Sequence, residues 1–155
     1  MQAVIEDQQI WRLLKSAKEG KTLVKGGDRL GCSLAVDDTS VYWTIPQADS
    51  VMRAKKTDGS AQGVLAFVRK RPWNVVVDRG YAYVLTETSP QALGELGSVF
   101  RVALRADPGS ETALPLALVV DRVGLNSIAA AGGTAFLAGY DENESDGVVE
   151  ELTGG

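Results

Sequence analysis

The sequence predicts an all-β chain built from a repeated unit of four short antiparallel strands. Three observations carry this. Two apolar, β-rich runs flank a polar turn in Ser33-Leu34-Ala35-Val36-Asp37-Asp38-Thr39-Ser40-Val41-Tyr42-Trp43-Thr44. The same hairpin recurs at Trp73–Thr86 and Ser127–Leu137. A gapless offset of 41 residues superimposes one unit on the next from about residue 10 to residue 44.

In the first hairpin, Leu34-Ala35-Val36 and Val41-Tyr42-Trp43 are the strands. Asp37-Asp38-Thr39-Ser40 is turn chemistry, because Asp and Ser side chains bond neighbouring backbone groups and Asp tolerates unusual φ. The offset matches Ile10-Trp11-Arg12-Leu13-Leu14-Lys15 to Val51-Met52-Arg53-Ala54-Lys55-Lys56. It also places Leu23-Val24 on Val64-Leu65, Ala35-Val36-Asp37 on Val76-Val77-Asp78, and Val41-Tyr42-Trp43 on Ala82-Tyr83-Val84. Val99-Phe100-Arg101-Val102 repeats the Val51–Ala54 pattern after the longer loop Thr86–Gly97. The third hairpin has Ala131 in place of the Asp and Gly132-Gly133 at its turn. Asp146-Gly147-Val148-Val149-Glu150 resembles the Arg-bearing strand, with Glu150 at the Arg position.

Each unit thus carries strands A, B, C and D. The A strands are Leu34–Asp37, Trp73–Asp78 and Ser127–Ala130; the B strands are Val41–Thr44, Tyr81–Leu85 and Thr134–Leu137. The C strands are Ile10–Leu14, Ser50–Ala54, Ser98–Ala103 and Gly147–Glu150; the D strands are Thr22–Val24, Val64–Val68 and Leu114–Val120. Residues 1–155 read as a single segment: C-D strands over 9–25, one unit over 32–69, a second over 73–120, and A-B-C strands over 125–152. Glu6–Gly20 could instead form a helix, with Ile10, Leu13, Leu14 and Ala17 on one face. The match to a clear strand-turn-strand segment outweighs that local propensity.

A four-stranded unit of about 40–50 residues is the size of a β-propeller blade. The run Asp37–Thr44, followed by Ser50-Val51-Met52-Arg53-Ala54-Lys55-Lys56-Thr57-Asp58-Gly59, resembles bacterial propeller repeats related to the YWTD- and NHL-type six-bladed propellers. The resemblance is strong over residues 10–86 and weaker after 105, where Ala131, Leu137 and Glu150 depart from the pattern. In such a fold the small residues of strand A line a central channel. Aromatic and other bulky residues then pack between blades, and Trp11, Tyr42, Trp43, Tyr83, Phe100 and Phe136 are assigned to that role. The recurring Arg12, Arg53 and Arg101 are expected to make a repeated structural contact. The resemblance also implies an exported bacterial protein.

About three blades is short of the four to eight that close a ring. An open arc would expose the packing faces of its end blades, which soluble monomers avoid. The expected solution is a homodimer: two copies make a ring of about six blades, the split blade being built from both chains. The alternative is a piece of a longer propeller protein.

Composition narrows the function. Apolar content is 45% and charged content 23%, ordinary for a globular domain. The net charge of −4 argues against nucleic acid, whose phosphates demand a basic face. No histidine is present, which removes Ser-His-Asp and Cys-His catalysis and His-ligated zinc. The one cysteine, Cys32, excludes an internal disulfide and reads as a small core residue. No apolar run reaches the ~18–20 residues of a membrane helix. Met1–Asp7 has neither the basic nor the apolar region of a signal peptide, so the expectation is a cytoplasmic chain or one whose leader was removed.

The candidate ligand face gathers the B–C and D–A connections around the channel mouth: Asp49, Arg71, Trp73, Glu87, Tyr140 and Asp141. Asp141-Glu142-Asn143-Glu144-Ser145-Asp146-Gly147 is rich in oxygen ligands. Its Gly falls one place late for a calcium loop and Leu152 stands where the last ligand belongs, so it reads as a solvated loop. Asp37 and Asp78 read as turn caps. The expected function is a non-enzymatic scaffold or binding module without catalytic residues, metal or cofactor. The alternative is a calcium-dependent propeller hydrolase or lactonase. For that, Asn74 and Asn126 are the only evident strand-A candidates, with no matching acid at Ser33.

Overall fold

The computed structural model describes residues 2–6, 9–13, 20–25, 33–68, 70–86, 97–104, 116–122, 124–140 and 147–153. These form fourteen strands in four antiparallel sheets. The first sheet is β1 (Gln2–Glu6), β2 (Gln9–Leu13) and β3 (Lys21–Lys25). The second is β4 (Leu34–Val36), β5 (Ser40–Ile45), β6 (Ser50–Lys55) and β7 (Gly63–Phe67). The third is β8 (Pro72–Asp78), β9 (Tyr81–Thr86), β10 (Gly97–Ala103) and β11 (Leu116–Arg122). The fourth is β12 (Leu125–Ala131), β13 (Thr134–Tyr140) and β14 (Gly147–Thr153). Strands neighbour one another in chain order within every sheet, so each sheet is a meander, the form of a propeller blade. Among the described residues no helix is long and apolar enough to cross a membrane.

Consecutive sheets pack face to face through their inner strands. β1 touches β4; β8 touches β4 and β5; β12 touches β8 and β9. Strand alternation explains how one strand serves two neighbours, because successive side chains point to opposite faces. Val41 and Trp43 join Ile10, Leu23, Val24 and Ala54 in the core between the first and second sheets. Tyr42, between them in sequence, turns the other way and joins Val51, Val75, Val84 and Val102 between the second and third. Tyr83 and Leu85 join Val99, Ile128 and Leu137 between the third and fourth. A sheet buried on both faces needs apolar residues at both parities, which is why β5 reads Val-Tyr-Trp and β9 reads Ala-Tyr-Val-Leu without a polar interruption.

The three A–B turns differ in construction. At the third sheet Arg79 and Gly80 both have positive φ (44° and 82°), the pattern of a type I′ hairpin turn. Gly132 (68°) and Gly133 (89°) repeat it in the fourth sheet. The turn of the second sheet is instead held by a carboxylate: Asp37 Oδ1 accepts from the Thr39 and Ser40 backbone N–H groups, each at 2.7 Å. Beyond these turns the Lys56 and Leu104 N–H groups donate to the Thr39 and Gly80 carbonyls, tying the end of strand C to each turn.

Two expectations change. The first sheet is more than a C-D pair: β1 precedes β2, with Val4 opposite Trp11 and Ile5 opposite Ile10. Among the described residues the end sheets hold three strands each, beside two four-stranded sheets. The other concerns the Arg position. Arg53 lies opposite Tyr42 and Arg101 opposite Tyr83, while Glu151 lies opposite Phe136. Glu151, not Glu150, thus occupies the Arg position, because β14 pairs one residue out of the register that sequence similarity suggests. The strand reading of Gln9–Leu13 holds against the helical one; residues 14–19 lie outside the described set.

Candidate functional site

Two of the candidate ligand-face residues meet directly. Pro46–Ala48 form a single 3₁₀ turn at the end of β5, closed by Asp49 in a left-handed conformation (φ 47°). The Asp49 carbonyl accepts from the Val68 N–H at 2.7 Å, and its carboxylate Oδ1 accepts from the Arg71 N–H at 2.8 Å. The B–C connection is thereby fastened to the D–A connection at one end of the second sheet. The fastened segment is strained: Lys70 and Arg71 both have positive φ (105° and 42°), uncommon for residues with a Cβ. Lys70 Nζ reaches Ser98 Oγ at the start of β10, at 3.5 Å.

Trp73 follows on β8, where the pairing with β9 slips between Pro72 and Asn74. The slip frees Trp73 from the ladder. Its carbonyl takes a hydrogen bond from Thr44 Oγ1 at 3.4 Å, while its ring is 42% exposed. Asp49, Arg71 and Trp73 therefore sit close together around one pair of connections. Tyr140 ends β13 opposite Gly147, but its side chain lies outside the described set. Glu87 and Asp141, the rest of the 87–96 loop and the 141–146 acidic loop, and Cys32 also lie outside it. Among the described residues no three acidic or thiol side chains come together as a metal site.

The inner strands are joined by a polar contact that the sequence did not announce. Ser33 Oγ donates to Asn74 Oδ1 at 2.7 Å and accepts from the Val75 N–H at 3.1 Å. Asn74 is thus engaged in joining β8 to the chain ahead of β4. Arg53 Nε donates to Ser40 Oγ at 3.0 Å and its guanidinium lies over the Tyr42 ring; that of Arg101 lies over Tyr81. These are contacts to the neighbouring strand within a sheet.

Asp37 and Tyr42 form a coupled pair, the hydroxyl donating to Oδ2 at 2.7 Å. Partial burial pushes the Asp37 carboxyl up. Hydrogen bonds from Tyr42, the Thr39 and Ser40 backbone and the Thr39 hydroxyl outweigh it, and the net is a lowered value. Burial first, and then the bond to Asp37, push the Tyr42 hydroxyl up to about 12. In the third sheet the same two residue types act between sheets. Asp78 Oδ2 accepts from the Gly133 N–H at 2.6 Å, and the Tyr83 hydroxyl donates to the Gly133 carbonyl at 3.2 Å. Asp78 is available for this because its own turn is closed by Arg79 and Gly80.

The residues assigned to packing between sheets divide. Tyr42 and Trp43 are fully buried, Tyr83 is buried, and Phe100 packs at the margin of the core between second and third sheets. Trp11 pairs with Val4 and Thr22, and its side chain lies outside the described set. Phe136 is 37% exposed. Register shows why. Phe136 occupies the position of Tyr42 and Tyr83, whose rings turn towards the following sheet; among the described residues no sheet packs on that face of β12–β14. Val149 occupies the position of Ile10, Val51 and Val99, all fully buried, yet is 74% exposed. The sequence singled out Phe136 but missed Val149, because the one-residue slip in β14 hid its equivalence.

No family model matches the chain, and no curated protein matches it. Among solved structures it is similar to a chain in a crystal structure of a nidogen/laminin complex, at 17% identity and a TM-score of 0.44, over 93% of this chain and 68% of that one.

Proposed function

We propose that the chain is a non-enzymatic β-propeller scaffold or binding module that assembles with a second copy of itself into a closed ring. The observation that supports this is the exposure of Phe136 and Val149 at positions that the second and third sheets bury. An apolar face made to the same pattern as the internal joints is a packing face, and leaving it in water is unfavourable. Four sheets per chain make a ring of eight, at the upper end of the range for closed propellers, in place of the six expected from three. The ligand face of this module is the fastened pair of connections bearing Asp49, Arg71 and Trp73, to which Glu87, Tyr140 and Asp141 belong by their place in the repeat. Loops held by a rigid scaffold are where binding concentrates.

Assembly is tested by unfolding the protein in urea at several chain concentrations. Association stabilises the folded state by mass action, so the midpoint should rise with concentration. A midpoint independent of concentration over a hundredfold range would contradict assembly. Calcium titration by calorimetry, followed by an esterase screen, tests the absence of enzymatic activity. Calcium binding together with turnover would favour the calcium-dependent hydrolase instead.

A further inference from the structure

We propose that the connection between β7 and β8 docks on an anionic membrane surface, with its cations at the lipid headgroups and its two exposed aromatic rings at the interface. This rests on the ligand face proposed above and names the partner of its Asp49, Arg71 and Trp73 region.

The segment reads Phe67-Val68-Arg69-Lys70-Arg71-Pro72-Trp73. Phe67 is 56% exposed and Trp73 42%, and Lys70 and Arg71 between them are exposed as well. Phe67 lies opposite Ser50, beside Asp49, at the same end of the second sheet as the fastened connections. The connection between β11 and β12 shows what the fold itself demands. It makes the same crossing one sheet further on, and β12 repeats the slip of β8: its pairing shifts between Leu125 and Ser127, as that of β8 does between Pro72 and Asn74. Pro72 and Leu125 are both buried, so the two connections align residue by residue. Gly124 then holds the place of Arg71, both with positive φ (76° and 42°). Asn126 holds the place of Trp73, and both are exposed. Glycine adopts the left-handed conformation at lower cost than arginine. The connection itself therefore requires neither Arg71 nor Trp73. Of the five described non-glycine residues with positive φ, Asp49, Lys70 and Arg71 gather here, and strain of this kind collects at binding sites.

What this connection has beyond its counterpart is positive charge beside aromatic surface. Anionic headgroups attract Lys and Arg, and indole rings settle at the level of the headgroups. The attraction reaches about 10 Å at 0.1 M salt, so it acts whatever contacts the two cationic side chains make within the chain. Asp49 offsets one of the charges on Lys70 and Arg71, and Arg69 adds one by sequence. The chain as a whole carries −4, so an anionic surface repels most of it and selects an approach by this edge. A membrane surface requires no shaped pocket, only a segment that presents cations and rings together.

The test is co-sedimentation of the whole chain with vesicles of phosphatidylcholine alone, and with vesicles in which about a third is phosphatidylglycerol. Binding is expected to the anionic vesicles only. It should be lost as salt approaches about 1 M, where screening shortens the attraction to about 3 Å. Lys70→Gly combined with Arg71→Gly relieves two left-handed positions and removes two charges, and should bind about tenfold more weakly or worse. Circular dichroism checks its fold, and Lys70→Gln with Arg71→Gln replaces it if it unfolds. Trp73→Asn, the residue that the fourth sheet uses, should bind about threefold more weakly. Arg71→Lys keeps the charge and should bind as the unaltered chain does. If anionic vesicles are bound no better than phosphatidylcholine, membrane docking is overturned and the binding-module reading stands. If the double variant and Trp73→Asn bind anionic vesicles as well as the unaltered chain, the membrane meets another face, and the assignment of the ligand face falls too. Binding to heparin without binding to vesicles would make the partner a soluble polyanion, which also overturns membrane docking.

Discussion

The third and fourth sheets share a pattern and differ in their surroundings. Tyr83 and Phe136 occupy the same position on the same strand of the repeat, yet Tyr83 is 3% exposed and Phe136 is 37% exposed. Val99 and Val149 differ in the same direction. Local sequence therefore sets which way a side chain points, while the neighbouring sheet sets whether it is buried. The comparison also separates residues buried within the single chain from residues that it leaves exposed.

The largest expected effect breaks the comparison at its aromatic position. Tyr42→Ala removes a fully buried ring and should destabilise the chain by about 3–5 kcal/mol. Phe136→Ala, measured at concentrations too low for association, should cost under about 1 kcal/mol. Equal losses in urea unfolding would mean that Phe136 is already packed within the single chain.

Glycines at the turns sharpen the contrast between joined and open sheets. Gly59 has φ 75°, and a Cβ there would overlap the backbone carbonyl of Leu23 in the first sheet. Gly132 has φ 68° but open space around it. Gly59→Ala should cost about 3 kcal/mol or more, since both backbone strain and a backbone clash oppose it. Gly132→Ala carries the φ penalty alone, about 1–2 kcal/mol. Thermal unfolding of the two variants should rank them in that order.

A smaller effect is expected from the polar turn of the second sheet. Asp37→Ala leaves the Tyr42 hydroxyl and the Thr39 and Ser40 N–H groups without their acceptor and should cost about 1–3 kcal/mol. The pair also shapes the dependence on pH. The folded-state value of Asp37 is depressed, so its contribution is present above the ordinary value of 3.8 and is lost as pH falls through the lower folded value. The folded-state value of Tyr42 is raised, so its contribution is present below 10.0 and is lost as pH rises towards about 12. Asp37→Asn should flatten the acid limb of stability against pH, and Tyr42→Phe the alkaline limb. An alkaline limb unchanged by Tyr42→Phe would show that another group controls it.

The smallest effect concerns the fastened connections. Asp49→Ala removes the carboxylate that takes the Arg71 N–H, and about 1 kcal/mol should be lost. Amide hydrogen exchange should quicken at Arg71 and leave the Val84 amide unchanged. Protection lost equally at both would indicate global unfolding rather than local release.

Much of the architecture was legible because strand alternation and turn residues are local signals. The shared offset located strands in the second and third sheets before any pairing was known. β1 was not read, since Gln2–Glu6 lacks the aromatic residues that mark strand B elsewhere. The slip at Glu151 escaped because the length of the loop before β14 does not fix its register. The candidate site was less legible. Asp49 and Arg71 could be assigned to one face from the repeat, but their bond depends on three left-handed residues that no sequence pattern marks. The exposure of Trp73 follows from a slip in pairing that is equally silent in the sequence. Trp43 adds a further case: it is fully buried, yet among the described residues its indole Nε1 finds no hydrogen-bond partner. That orphaned donor costs stability, and nothing in the residue string foretells it.

The central claim is that the open face of the fourth sheet is covered by a second copy. Size-exclusion chromatography with light scattering measures this directly. The account predicts a particle of twice the 16.4 kDa chain mass that dissociates on dilution. A well-behaved monomer at 16.4 kDa, unchanged at high concentration, would contradict it.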